Sequence, residues 1–270
     1  MATTHGDRAG ILSWVRTFGW RTLLFRGVVL LLAYLVVPAT INHLLLPWRL
    51  DPRVIPNYTP EMHRWHGADV AALIVILVCG GALALVPRPR SLPLLAQFTL
   101  VALGIFILTL SWPFRPEIVV PCVVVGLLFA ATYPDTRALL TFPGPGNVSR
   151  PLLALATAAA VPLLLNAWYN LRLALTDLSE HAHFSHWNVG VGLPIALLIA
   201  GFLVATRRPG WRALGAVLGV AYLYLGVSAQ TIPVHDGSWG LAGGGLSLIG
   251  AAGFLGLTLI EGRRGRAARH

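Results

Sequence analysis

Apolar residues in this chain do not alternate with polar ones. They gather into runs of about 20, broken by short segments rich in arginine, proline and glycine. Coiled as an α-helix, a run of that length matches the hydrocarbon thickness of a bilayer. Eight such runs predict spans near 27–46, 65–86, 91–112, 117–133, 151–171, 189–206, 211–231 and 240–260. The fourth is short, and Pro121 near its start is expected to kink or shorten it. The expected fold is all-α, a polytopic integral membrane protein with eight transmembrane helices.

The runs also divide the chain. Residues 1–26 form a basic tail in which Ile11, Trp14, Val15 and Phe18 share one helical face, as an interfacial helix requires. No small-residue cleavage site follows a short apolar core there, so the tail is expected to be retained. Residues 27–133 and 151–260 make two four-helix units. Residues 134–150 link them, and 261–270 form a second basic tail.

Composition agrees. Charged residues make up 11% of the chain and hydrophobic ones 56%, whereas a soluble domain carries roughly 25% charged residues. The net charge of +10 comes from arginine alone, since there is no lysine. That absence removes a Schiff-base pigment from consideration. In water such a charge would suggest nucleic acid; in a chain of spans it is first a topology signal, and no nucleic-acid partner is expected. Cys79 and Cys122 both fall inside apolar runs and are expected to be buried small hydrophobes.

With both termini cytoplasmic, the inner segments hold fifteen arginines. The outer segments hold five: Arg49, Arg53, Arg64, Arg115 and Arg172. This is the positive-inside pattern of a protein in the cytoplasmic membrane. The same assignment sends seven of the ten acids and seven of the nine histidines to the outer face. Histidine and acid did not set the topology, so their crowding is an independent clue to function.

Weak internal repetition accompanies this. Pro38-Ala-Thr-Ile-Asn42 in the first span matches Pro162-Leu-Leu-Leu-Asn166 in the fifth. His66 and His186 each precede an arginine by 22 residues, and Pro113 and Pro233 stand at the same offset of 120 as the two histidines. A tandem duplication of a four-helix unit (4+4) is the expectation. The halves would be related by a pseudo-two-fold along the membrane normal, and His66 and His186 would face each other near the outer surface.

Two stretches carry the candidate chemistry. In Glu61-Met-His63-Arg-Trp-His66-Gly-Ala-Asp69, the residues His63, His66 and Asp69 stand at i, i+3 and i+6 on one helical face. Between Asp177 and Trp187, Asp177 and His181 are i, i+4, while His183 and His186 are i, i+3. Imidazole with carboxylate suits a divalent metal such as copper, zinc or iron, with Asp69 and Asp177 as ligands or as orienters of the imidazoles. The competing reading is a wet interfacial loop anchored by Trp187. His235-Asp236 is a further candidate pair, although the adjoining Gly237 equally marks a turn. His43, Asn42 and Asn166 are expected to hydrogen-bond between helices as structural glue. Gly240, Gly244, Gly250 and Gly253 point to close helix packing in the last span. The chain has no His-Glu-x-x-His, no Gly-x-Ser-x-Gly and no Gly-x-x-x-x-Gly-Lys.

The duplicated eight-span plan resembles that of haem A synthases, which hold haem between histidines of paired helices. Carried over, this implies His66 and His186 as haem-binding residues, although the fourth and eighth spans offer no histidine. Asp177-x-x-x-His181, Ser185-His186 and a span ending in Ala205-Thr206-Arg207-x-Pro209 are similar to the copper-site region of the C subunit of particulate methane and ammonia monooxygenases. That likeness covers about 35 residues and implies copper.

The expected function is therefore a metal- or haem-binding site at the outer face, with oxidoreductase chemistry as one form of it. A transporter with a path between the repeats is a second reading, and a non-catalytic subunit or assembly factor of a membrane complex a third. Acid–base work by Asp177, Glu180 and a histidine on a lipid headgroup is a fourth. The bilayer is the expected partner in each case, with a membrane-complex partner or a second copy of the chain beside it.

Overall fold

The computed structural model describes residues 19–48, 60–112, 114–141, 144, 147–177 and 185–267. Helix α1 (Trp20–Leu45) is followed by α2 (Pro60–Val70), which runs without a break through a π-helical stretch, Ala71–Gly80, into α3 (Gly81–Leu85). Then come α4 (Pro93–Thr109), α5 (Pro116–Thr132), the short α6 (Thr136–Leu140), α7 (Arg150–Thr176), α8 (His186–Ala205), α9 (Trp211–Thr231) and α10 (Gly240–Ala267). No strand occurs among the described residues.

Five of these stretches are long and apolar enough to cross a membrane: Arg64–Leu85, Arg150–Thr176, His186–Ala205, Trp211–Thr231 and Gly240–Arg263. Several spans of this kind make the protein a multi-pass membrane protein. Helices α4 and α5 are shorter, at 17 residues each, and about 1.5 Å per residue brings them to roughly 26 Å. A proline opens each of them, Pro93 in α4 and Pro116 in α5, and Pro121 lies inside α5 as expected. Helix α10 continues past the predicted end of its span, through Glu261 to Ala267.

The π-helical stretch was not anticipated. Ala71, Ala72, Leu73, Ile74, Leu77, Val78 and Cys79 are all buried there. An apolar surface on every side gives no polar stripe from which to tell a period of 3.6 from a wider one.

Packing is layered around four central rods. The α2–α3 rod, α4, α8 and α9 all touch one another. On one side α1 packs on the α2–α3 rod, α5 packs on α4, and α1 meets α5. On the other side α7 packs on α8, α10 packs on α9, and α7 meets α10. Close approach between α9 and α10 depends on glycine. A Cβ at Gly215 would lie 2.4 Å from Thr258 Oγ1, one at Gly219 2.4 Å from Leu255 Cγ, and one at Gly226 2.8 Å from Leu248. Such small-residue seams are how helices approach in a medium as apolar as their own side chains. The outer helices turn Val161, Leu165, Leu175, Leu241 and Ile249 outward, where a bilayer covers them.

The end of the bundle that carries the arginines is tied by polar contacts. Arg207 donates from Nε to Glu261 Oε2 at 2.8 Å, and Ser149 Oγ donates to Glu261 Oε1 at 2.7 Å. The buried Arg208 donates to Gln97 Oε1 at 2.7 Å. Gln97 in turn donates from Nε2 to the carbonyls of Ala138 and Thr141, holding α6 against α4. Tyr133 donates to Pro89 O at 2.6 Å.

Candidate functional site

The opposite end of the bundle gathers the histidines. His66 rides on α2, where Trp65, His66, Gly67, Ala68 and Asp69 are all buried. A Cβ at Gly67 would sit 2.4 Å from Leu46 Cδ1, so α2 is pressed against the end of the first helix there. His186 opens α8. Ser185 before it is left-handed, with φ 59°, and this reversal directs the chain into the bundle. The backbone at 235–238 turns tightly, with Ser238 N–H donating to His235 O at 3.0 Å. Gly237 takes φ +82°, a conformation L side chains resist.

These elements bring three imidazoles to one place. His66 stacks on His186 with ring centres 4.6 Å apart and planes 25° apart. His235 meets the same His66 ring edge-on at 5.8 Å. Trp187 closes a third side, edge-on at 4.8 Å. His66 is 2% exposed and Trp187 3%, whereas His186 and His235 are half-buried.

A polar frame surrounds the rings. Trp187 Nε1 donates to Asp177 Oδ2 at 2.7 Å, which ties the C-terminus of α7 to the first turn of α8. Behind Trp187 lies Asn170, which is wholly buried. It donates from Nδ2 to Asn166 O at 3.0 Å and to Asn166 Oδ1 at 3.2 Å. Asp69 is 2% exposed, one turn below His66 on α2. Tyr224 donates to the carbonyls of His43 and Leu44, at 3.3 and 3.2 Å, and so pins the end of α1 to α9.

Of the expected site residues, His66 and His186 meet as foreseen, Asp69 lies on the buried face below them, and Asp177 orients Trp187. His63 lies on α2, but its side chain is outside the described residues, as are His181 and His183 entirely. Among the described residues, no group of three or more His, Cys, Asp or Glu side chains stands in the arrangement of a formed metal centre. His235 was the underweighted residue: Gly237 marked a turn, and the turn is what carries the imidazole inward. Asn170 was missed, although it follows Asn166 by four residues and so shares its helix face.

Asn42, which ends the other Pro-x-x-x-Asn sequence, is exposed on α1. The two Pro-x-x-x-Asn motifs therefore serve different surroundings. Comparison with protein-family profiles, curated proteins and solved structures finds no match for this chain.

Proposed function

We propose that this is an eight-span protein of the cytoplasmic membrane, built from two four-helix units, that binds a divalent transition-metal ion at its outer face. His66, His186 and His235 supply the imidazoles. The observation that carries the reading is the contact of His66 with both other rings, which come from three separate parts of the chain. Two imidazoles on one ion, at a metal–nitrogen distance of about 2.0–2.1 Å, place their ring centres about 4.5–6 Å apart for ordinary ligand angles. The separations of 4.6 and 5.8 Å fall in that range. The His66 and His186 rings lie face to face, with planes 25° apart, so holding an ion would require them to turn about their Cα–Cβ and Cβ–Cγ bonds until the nitrogens converge.

An ion is favoured over haem because stacked rings 4.6 Å apart leave no room for a macrocycle between His66 and His186. Asp177 is a positioning residue in this reading, acting through Trp187, as carboxylates behind metal sites commonly do. Asp69, one turn below His66 on α2, would ionise to balance a dication bound in the apolar bundle.

The two-unit reading is supported by the packing. Exchange α1, the α2–α3 rod, α4 and α5 for α7, α8, α9 and α10, and the packing of central and flanking helices described under the fold is preserved. Under that exchange His66 and His186 are equivalent, and equivalent residues near a pseudo-two-fold axis are brought face to face. The arginine bias supports a topology with the histidine end outside and both termini inside.

The test is elemental analysis of detergent-purified protein, wild type against His66→Ala and His186→Ala. One ion per chain in the wild type, with loss in both variants, is the expected result. No stoichiometric metal in the wild type overturns the proposal. Because imidazole binds metal only when neutral, loading should fall as pH drops below about 6.

A further inference from the structure

A second feature lies beside the imidazoles but does not depend on them. A cavity of about 570 Å³ runs between α7, α9 and α10. Along α7 it extends from Leu155 to Tyr169, fourteen residues, or about 20 Å at 1.5 Å each. About 570 Å³ over that length leaves a mean cross-section of roughly 30 Å², a slot for one extended chain.

Its two ends differ chemically. Leu155, Ala158, Ala159, Pro162 and Leu163 line the deep part, where Gly250 leaves further room. At the histidine end the wall is Asn166, Tyr169, His235, Ser238 and Trp239. Three lining residues, Leu165, Leu246 and Ile249, are 64%, 54% and 66% exposed. The slot is therefore open sideways between α7 and α10, toward the acyl chains of the surrounding bilayer.

No ionised side chain lines the slot among the described residues. The carboxylate of Asp236, next to the lining residue His235, accepts from Tyr169 at 3.2 Å, and it would repel a phosphate. The space between α1, the α2–α3 rod, α4 and α5 makes a useful contrast. That cavity is about 310 Å³, and Thr99, Cys79 and Cys122 are the most polar residues in its wall. It offers no recognition end.

We infer that the α7–α9–α10 slot binds an uncharged, single-chain amphiphile that enters from the bilayer, with its chain along Pro162 and Leu163 and a hydrogen-bonding headgroup at Asn166 and Tyr169. A prenylated quinone and a monoglyceride share that chemistry. The inference stands whether or not the imidazoles hold a metal.

The test uses the full chain in phosphatidylcholine nanodiscs, titrated separately with decylubiquinone and with 1-oleoylglycerol, against empty discs. Saturable binding of either at one per chain supports the inference, and which of them saturates names the source. Ala159→Phe, which fills the deep slot, should weaken that binding by about tenfold or more. Asn166→Leu should weaken it by about three- to tenfold through the lost headgroup contact. Metal content in Ala159→Phe should equal that of the wild type, which separates this result from the fate of the metal site. Binding no greater than to empty discs, or unchanged in a folded Ala159→Phe, overturns the inference. Should that variant not fold, solvent extraction of purified wild-type protein decides. A retained neutral long-chain compound near one per chain supports the slot's assignment, and phospholipid alone overturns it.

Discussion

Gly190 lies one turn into α8, where a single added methyl group has a calculable consequence. A Cβ there would stand 2.3 Å from Asn170 Oδ1 and 2.7 Å from its Cγ, so the amide must move by roughly 1 Å to reach ordinary van der Waals separation. It has little room to move. Asn170 is wholly buried, its Nδ2 is held by two bonds to Asn166, and its Oδ1 already lies 3.0 Å from where a Cβ on Gly237 would be.

Overpacking costs about 1–3 kcal/mol, and a disturbed amide forfeits about 0.5–1.5 kcal/mol for each hydrogen bond lost. Alanine's greater helix propensity returns about 0.8–1.0 kcal/mol. Gly190→Ala is therefore expected to destabilise by about 1–3 kcal/mol. Asn170→Ala alone should cost a similar amount, through two lost hydrogen bonds and a small void. Combining the two lets the methyl group occupy the space the amide leaves, so the double variant should fall short of additivity by about 1 kcal/mol or more. Denaturant unfolding in detergent micelles, followed by tryptophan fluorescence, measures all three. Wild-type stability in Gly190→Ala, or strict additivity in the double variant, would refute this picture of the packing behind the imidazoles.

Further perturbations probe other parts of the account. Trp187→Phe keeps the ring against His66 but removes the donor to Asp177. A hydrogen bond to a charged group is worth about 1.5–3 kcal/mol, so unfolding should shift by that order and metal retention on dialysis should weaken. At the arginine end, Glu261→Gln removes the charge that Arg207 pairs with and should lower the unfolding midpoint, whereas metal content stays unchanged. Gln97→Leu should free α6 from α4, and faster hydrogen exchange confined to residues near 136–141 would show it. Gly219→Leu should drive α9 from α10 at a cost of about 1–3 kcal/mol, read as loss of monodisperse elution on gel filtration.

The layout of this bundle was legible wherever one physical signal dominated. Twenty-residue apolar runs end at Arg–Pro–Gly segments, and the helix ends fall close to those breaks. The meeting of His66 and His186 was legible because a fixed offset of 120 residues aligned two otherwise different stretches. Exact periods were not. Between Ala71 and Gly80 the residues are so uniformly apolar that α and π winding bury the same atoms. The part played by His235 was hidden for another reason. Only the tertiary course of the turn at Gly237 decides whether its side chain faces water or the bundle. The slot along α7 was equally hidden, because Pro162 and Asn166 carry the same letters as Pro38 and Asn42 while lying in different surroundings. Charge could reveal sidedness, since arginine is counted without knowing its contacts, whereas a cavity exists only between helices.

The central claim is that three imidazoles from distant parts of the chain serve one ion. X-ray absorption at the edge of whatever metal the purified protein retains counts its imidazole neighbours directly. The account predicts three imidazole ligands in the wild type and loss of the bound ion in His66→Ala. A bound ion without imidazole ligands, or one unaffected by removing His66, would contradict it.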